Sequence, residues 1–165
     1  MDTIDAMSKT PEQWLEAAPS AKTRGVLKLF LGYAPGFGKT YNMLSEAIRR
    51  ASRGEDVVVG AVDTHGRKGP IELLSQLDAV PRRKLDYKGT VFDEMDVDVL
   101  LARHPQVALV DELAHTNIEG SRNPKRYQDV IELLDANIDV LSTMNVQHIE
   151  SLGPLVQQIT GVYVR

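Results

Sequence analysis

The stretch GYAPGFGKTY, which begins at Gly32, has the residue types and spacing of a phosphate-binding loop. Such loops follow the pattern G-x-x-x-x-G-K-[ST], in which backbone N–H groups surround a phosphate, the lysine reaches the β- and γ-phosphates, and the hydroxyl binds Mg²⁺. Gly38, Lys39 and Thr40 match the end of this pattern, but its first glycine should stand at position 33, which is Tyr33. We expect Gly32 to supply the turn, with Tyr33 packed nearby or covering the base.

The loop predicts a nucleotide site because an apolar run precedes it and a helical stretch follows it. The N-terminus of that helix would add roughly half a positive charge and several unpaired N–H donors. The alternative is a glycine-rich turn between a strand and a helix that holds no ligand. The residues predicted to bind the nucleotide are Pro35, Gly36, Phe37, Gly38, Lys39, Thr40 and Tyr41.

A second motif is the apolar run Val107–Val110, which ends in Asp111 and Glu112. An acid at the end of a buried strand is what a Walker B site needs, so Thr40 and Asp111 are the predicted metal residues. Glu112 could orient and deprotonate a water molecule or a substrate hydroxyl, and it is a predicted catalytic residue. Most such pairs merely end strands, but this one follows the glycine-rich loop by about 70 residues.

Two arginines complete the predicted catalytic set. Arg122 or Arg126 could neutralise a phosphate during transfer, as an arginine finger does. The alternative for both is a solvated loop.

Other polar residues also follow predicted strands. The loop from Asp63 to Arg67 could contact the γ-phosphate or a protein partner, or it could be a simple polar turn. Asn145 could sense the γ-phosphate or be a satisfied structural group. The four histidines have no zinc spacing. Arg82 belongs to a short basic run that is predicted to be solvated surface.

Short apolar runs alternate with helical patterns over most of the chain. The predicted strands are Val26–Leu31, Asp56–Val62, an edge strand within Val80–Tyr87, Val107–Val110, Ile138–Thr143 and Val162–Val164. The predicted helices are Gly38–Arg53, Ile71–Leu77, Phe92–Arg103, Pro124–Ala136 and Val146–Ile159. The predicted fold class is α/β, a P-loop NTPase-like doubly wound sheet, mainly parallel and flanked by helices.

Composition agrees with one ordinary globular domain. The 165 residues carry a net charge of -4 and are 42% hydrophobic, so they do not indicate a nucleic-acid partner. There is no cysteine, which excludes disulfides and thiolate chemistry. No apolar run is long enough to insert into a membrane. We expect a polar leader with a possible short helix over 1–24 and a single nucleotide-binding domain over 25–165, truncated at its C-terminal end.

Long stretches of the chain resemble one family. They are LFLGYAPGFGKTYNMLSEA, GEDVVVGAVDTHGR, ALVDELAHTN, GSRNPKRYQDV and TMNVQHIESL, and they resemble the N-terminal cytoplasmic domain of KdpD-type sensor histidine kinases of potassium-transport operons. In that family the loop departs from the strict pattern at its first position, so Tyr33 favours the family. The resemblance implies that the nucleotide is ATP, that the domain is regulatory, and that the parent protein lies in the bacterial inner membrane.

Three functional hypotheses follow. The first is a regulatory ATP-binding domain of a two-component sensor kinase, with ATP and Mg²⁺ as cofactors and with loops 63–70 and 114–126 responding to occupancy. The resemblance implies, as partners, the parent's other domains and a response regulator or another signalling protein. The second hypothesis is an ATPase or a protein-hydroxyl phosphotransferase with Glu112 as base. The third is a protein-interaction module whose loop binds no nucleotide.

Overall fold

The short apolar runs form a five-stranded parallel sheet in the computed structural model, which describes residues 24–33 and 38–146. The strands are β1 Leu27–Gly32, β2 Val57–Ala61, β3 Asp78–Ala79, β4 Arg83–Tyr87, β5 Thr90–Glu94, β6 Val107–Val110 and β7 Asp139–Asn145. The order in the sheet is β1-β7-β6-β2-β3, while β4 and β5 form a separate two-stranded sheet. The predicted doubly wound α/β class is confirmed.

Four helices are described, and they flank the sheet. They are α1 Lys39–Ser52, α2 Lys68–Leu74, α3 Val97–Arg103 and α4 Arg126–Asp135. Helix α2 begins three residues before its predicted start at Ile71, because Pro70 lies in the first turn, where a missing N–H costs nothing.

The hydrophobic core divides between the two faces of the sheet, since successive strand residues point to opposite faces. Val57, Val59, Val107 and Leu109 pack against the buried face of α1. The alternate residues of the same strands pack against α3 and α4; they are Val58, Ala108 and Val110, beside Leu100, Leu133 and Leu134. This three-layer packing holds the carboxyl ends of the parallel strands at one edge.

Helix α1 buries Met43, Leu44 and Ala47 against the sheet. Tyr41 is instead 46% exposed. The helix starts after Gly38, which has φ 77° and therefore adopts a left-handed conformation that glycine tolerates without strain.

The predicted helix Phe92–Arg103 is wrong over its first part. Thr90–Glu94 is an antiparallel partner of Arg83–Tyr87, and the helix begins only at Val97. The two-residue turn Lys88-Gly89 has positive φ at both positions, as type I′ hairpins require. The β-branched and aromatic residues after this turn therefore continue as a strand.

Several predictions lie outside the described residues. They concern the leader before Arg24, the loop residues Pro35, Gly36 and Phe37, most of the helix Val146–Ile159, and the strand Val162–Val164. Within the described part of the chain, none of the helices has the length and apolar character to span a bilayer.

Candidate functional site

A cavity of about 270 Å³ opens where the end of β7 and the segments after β2 and β6 meet the start of α1. This is the edge at which parallel α/β sheets collect their ligands. The polar residues that line it include Lys39, Thr40, Asp111, Glu112, Thr143 and Asn145. The fold thus brings together four predicted site residues that are distant in sequence.

Asp111 is the buried centre of the site, with 2% of its surface exposed. The Thr40 hydroxyl donates to its Oδ2 at 3.3 Å, so the start of α1 contacts the end of β6 directly. Oδ2 also accepts from the Asp63 N–H at 3.4 Å, and Oδ1 accepts from the Glu112 N–H at 3.1 Å and from the Thr143 hydroxyl. All four donors are neutral, and no side-chain cation of the described residues forms an ion pair with this carboxylate.

The pKa of Asp111 is raised, first by burial and then by the neighbouring Glu112 carboxylate, against hydrogen bonds that lower it. A buried carboxylate whose hydrogen-bond donors are all neutral favours either a proton or a metal ion. Mg²⁺ at phosphate sites is commonly held by one or two protein oxygens together with waters and phosphates. A metal cage is not needed, and no group of three or more acids and histidines forms one among the described residues.

Thr143 is a site residue that sequence reasoning missed. It lies on β7, which stands between β1 and β6 in the sheet. Its hydroxyl donates to Asp111 and accepts from the Glu112 N–H at 2.9 Å, and its carbonyl accepts from the Leu113 N–H at 2.9 Å. Thr143 therefore fixes the direction of the whole segment after β6. The available signal was a pair of polar residues, Ser142 and Thr143, within a buried apolar strand.

Gly32 has a use beyond the turn that the sequence suggested. A Cβ placed on Gly32 would lie 2.7 Å from both Cγ and Cδ of Lys39, closer than real carbon contacts allow. The absence of a side chain at Gly32 thus gives the lysine stem its path along the end of β1. Tyr33 is 84% exposed. Its side chain does not line the cavity.

Glu112 stands at the mouth of the cavity with 47% of its side chain exposed. The Nε2 of His65 lies 3.3 Å from its Oε1, which joins the loop after β2 to the segment after β6. Both residues have positive φ, 50° for His65 and 55° for Glu112. Non-glycine residues in this conformation are costly, and they concentrate at functional sites.

The two predicted arginines occupy different places. Arg126 is buried beneath the site, where its Nη1 donates to the Asp111 carbonyl at 2.8 Å and its Nη2 lies 3.5 Å from Glu94. The solvated-loop alternative is therefore wrong for Arg126. Arg122 lies away from the cavity, in ion pairs with Asp98 and with Glu132.

The remaining predicted contacts can be placed only in part. Asn145 lines the cavity, whereas Tyr41 does not and instead lies near Gly69. Pro35, Gly36 and Phe37 are outside the described residues. Their roles, like the catalytic roles of Glu112 and the arginines, stay predictions.

Strand order, the Gly38-Lys39-Thr40 helix start and Asp111 at the end of β6 define an α/β domain of P-loop-like doubly wound fold. The family model described as "Osmosensitive K+ channel His kinase sensor domain", KdpD, matches residues 23–165. The chain belongs to this family.

Curated relatives agree with that assignment. The chain is 55% identical over 153 residues to "Sensor protein KdpD" of Mycobacterium tuberculosis, which covers 93% of the chain and 18% of that protein. It is 50% identical over 155 residues to the Escherichia coli K12 protein of the same description, covering 94% of the chain and 17% of that protein. A "Putative sensor protein KdpD" of Synechocystis is 52% identical over 149 residues, covering 90% of the chain and 40% of that protein. The chain thus spans less than a fifth of the first two relatives.

Proposed function

We propose that the chain is a regulatory ATP-binding domain of a two-component sensor kinase in potassium-responsive signalling. ATP with Mg²⁺ would bind at a variant Walker A loop, residues 32–41, beside the Walker B acid Asp111. The relatives are described as sensor proteins, which supports the regulatory part of the proposal. The binding part is supported by the residues at the carboxyl edge of the sheet.

One observation carries the proposal of a nucleotide site. The Thr40 hydroxyl lies 3.3 Å from the buried Asp111 carboxylate, although 71 positions separate the two residues. A hydroxyl and a carboxylate in this arrangement can share one Mg²⁺ ion and its waters. Lys39 follows the left-handed Gly38 at the start of the same helix, where backbone N–H groups and the helix dipole favour phosphate.

The experiment is a calorimetric titration of the chain with ATP, with and without Mg²⁺. Lys39→Ala removes a charged donor, so we expect binding at least about tenfold weaker. The matched control is Lys68→Ala, because Lys68 is an exposed lysine that does not line the cavity. Equal affinity of wild type and Lys39→Ala would refute the site. Absence of ATP binding in wild type would favour an interaction module instead.

A second candidate function is ATP hydrolysis or phosphate transfer to a protein hydroxyl. It is favoured by Glu112, whose carboxylate stands at the mouth of the cavity beside Asp111. In this function Glu112 would accept a proton from the attacking oxygen. The buried Arg126 would act by holding the Asp111 backbone in place.

Turnover separates the two candidates. If the chain is a catalyst, wild type with ATP and Mg²⁺ gives sustained ADP release, which Glu112→Gln abolishes while ATP affinity persists. Glu119→Gln is the control, because Glu119 is an exposed acid of the loop after β6. A wild type that binds ATP without turnover leaves the regulatory function as the correct one.

The proposal extends to the longer protein. The parent would lie in the bacterial inner membrane, with this chain as its cytoplasmic part. Its other domains and a response regulator would be the partners. Occupancy of the site changes their contacts only if ATP binds two conformations with different affinity. The loops that contact the site, 63–70 and 114–126, are the proposed places of that difference.

A further inference from the structure

A second cavity, of about 360 Å³, adjoins the site at Asp111 and Glu112. It shares Asp111, Glu112 and His115 with the first cavity. Its other walls are Val62, Asp63, Arg82, Asp93 and Arg126. Neither Lys39 nor Thr40 lines it, so its chemistry is separate from that of the glycine-rich loop.

Arg82 supplies one cation to this cavity. It belongs to the run that the sequence predicts to be solvated surface, yet it is half-buried. Its guanidinium donates to the carbonyls of Val62 at 3.3 Å and Asp93 at 3.4 Å, which are long hydrogen bonds. No carboxylate of the described residues pairs with it. The guanidinium thus keeps its charge and most of its five donors for another partner.

Arg126 supplies the second cation. It is 5% exposed, and its Nε has no hydrogen-bond partner in the described chain. Its Nη2 lies 3.5 Å from Glu94, and its Nη1 donates to the Asp111 carbonyl at 2.8 Å. Two guanidinium groups from different parts of the chain therefore line one cavity.

The acids around the cavity have partners of their own. Glu112 and Asp63 lie 3.3 Å and 3.6 Å from the ring nitrogens of His65, while Asp93 lies 3.7 Å from Lys84. Their side chains are also about half exposed, so water screens them. The Asp111 carboxylate also lines the cavity, and its two oxygens already accept four hydrogen bonds. The cations of the lining are the half-buried Arg82 and the buried Arg126.

We propose that Arg82 and Arg126 form a second binding site, which takes the phosphate group of a small phosphorylated molecule. Two guanidinium groups that enter from different elements match a dianion better than a single carboxylate, because each can donate to different oxygens of one phosphate. The volume is at the small end of ligand pockets, which suits a compact metabolite. Such a ligand would sit beside Glu112, in a cavity that Lys39 does not line.

This site would give the domain a second input. A ligand on Arg82 and a nucleotide beside Lys39 would contact the same Asp111-Glu112 segment from two sides. Each would alter the affinity for the other by an equal factor if they favour the same position of that segment. Phosphate binding at the second site does not require ATP, since Arg82 and Arg126 lie outside the glycine-rich loop.

The test is an NMR titration of the full chain with inorganic phosphate at constant ionic strength. The glycine-rich loop is first blocked with a saturating non-hydrolysable ATP analogue and Mg²⁺. A parallel titration uses Lys39→Ala without nucleotide, so that failure of the proposed ATP site does not affect the result. We expect saturable amide shifts at Val62, Arg82 and Arg126 in both samples, and none with acetate.

Variants give the second part of the test. Arg82→Gln should weaken phosphate binding at least tenfold, and Arg82→Lys should weaken it less, because the charge stays while the planar fork is lost. The matched control is Arg83→Gln, which removes the same charge from the exposed neighbour. We expect ATP-analogue affinity to be unchanged in Arg82→Gln.

Three results would overturn the proposal. The first is an absence of saturable shifts in the wild type. The second is equal phosphate binding in wild type and Arg82→Gln. The third is phosphate binding that disappears in Lys39→Ala or under the nucleotide analogue, because the anion then occupies only the loop.

Discussion

Two buried aspartates in this chain have opposite surroundings. Asp111 lies at the cavity, where its contacts are two hydroxyls and two backbone N–H groups. Asp129 lies in α4, where it accepts from the amides of Asn117 at 2.8 Å and Asn123 at 2.7 Å. Burial raises the pKa of both carboxyls. The two aspartates differ in whether their hydrogen-bond donors can turn to another partner.

The donors of Asp129 are already committed elsewhere. The Asn117 amide also donates to the Asn123 carbonyl at 2.9 Å, and the Asn123 amide to Glu132 at 2.7 Å. Arg122 extends this network from Glu132 to Asp98, and so connects α4 with the start of α3. We call this network closed because its members pair with one another, and its role is structural. The hydroxyls at Asp111 can rotate toward a metal ion or a water, so that region can exchange its partners.

The largest expected effect comes from breaking the closed network. Asp129→Ala leaves two half-buried amides short of an acceptor inside the protein, and we expect the free energy of unfolding to fall by about 2 kcal/mol. Urea unfolding followed by circular dichroism measures it. The control is Asp135→Ala, because Asp135 is an exposed acid at the end of the same helix and should change stability little. Equal losses in the two variants would contradict a structural role of the network.

The next effect should appear in ligand binding and hardly in stability. Gly32→Ala places a methyl group against the stem of Lys39, which must move to avoid it. We expect ATP affinity to fall about tenfold, since a displaced lysine loses a charged hydrogen bond. Gly69→Ala is the matched control, because a Cβ there would make only ordinary contacts with Tyr41. Unchanged affinity in Gly32→Ala would mean that the lysine stem does not need this path.

The same contrast decides how far the sequence could predict this molecule. The alternation of strands and helices placed Lys39, Thr40 and Asp111 at one edge, because connection rules for parallel sheets leave few topologies. The hairpin was missed because its turn is Lys88-Gly89, a weaker signal than Asn-Gly.

The remaining errors concern long-range contacts. Arg122 was considered for catalysis and Arg82 for the surface, although one pairs within the network and the other lines a cavity. The partners of Arg122 and Arg82 depend on which helix or strand end packs against each of them, and no local sequence pattern encodes that packing. Thr143 differs, because two polar residues in a buried strand were a local signal for it, although the sequence did not show that Asp111 is its partner.

The smallest expected effect concerns how much the buried charge of Asp111 lowers the free energy of unfolding. Asp111→Asn removes a buried charge but keeps most of the hydrogen bonds, so the stability of the ligand-free chain should change by no more than about 1 kcal/mol. Stabilisation by ATP with Mg²⁺ should disappear in the variant. The control is Asp63→Asn at the neighbouring strand end, whose side chain is 61% exposed.

The pH dependence of the stability difference between wild type and Asp111→Asn shows whether the buried charge of Asp111 destabilises the fold. Because burial raises the pKa of Asp111 above its ordinary value of 3.8, the folded chain binds a proton there more readily than the unfolded chain. The wild type should therefore gain stability relative to Asp111→Asn as the pH falls through the folded pKa, and the gain is complete below the unfolded value. Urea unfolding of both proteins from neutral pH to about pH 4 measures the difference between their free energies of unfolding. The other acids titrate equally in the two proteins, so their contributions cancel in this difference. A constant difference over this range would mean that Asp111 carries no excess cost, and the contrast with the closed network at Asp129 would then be lost.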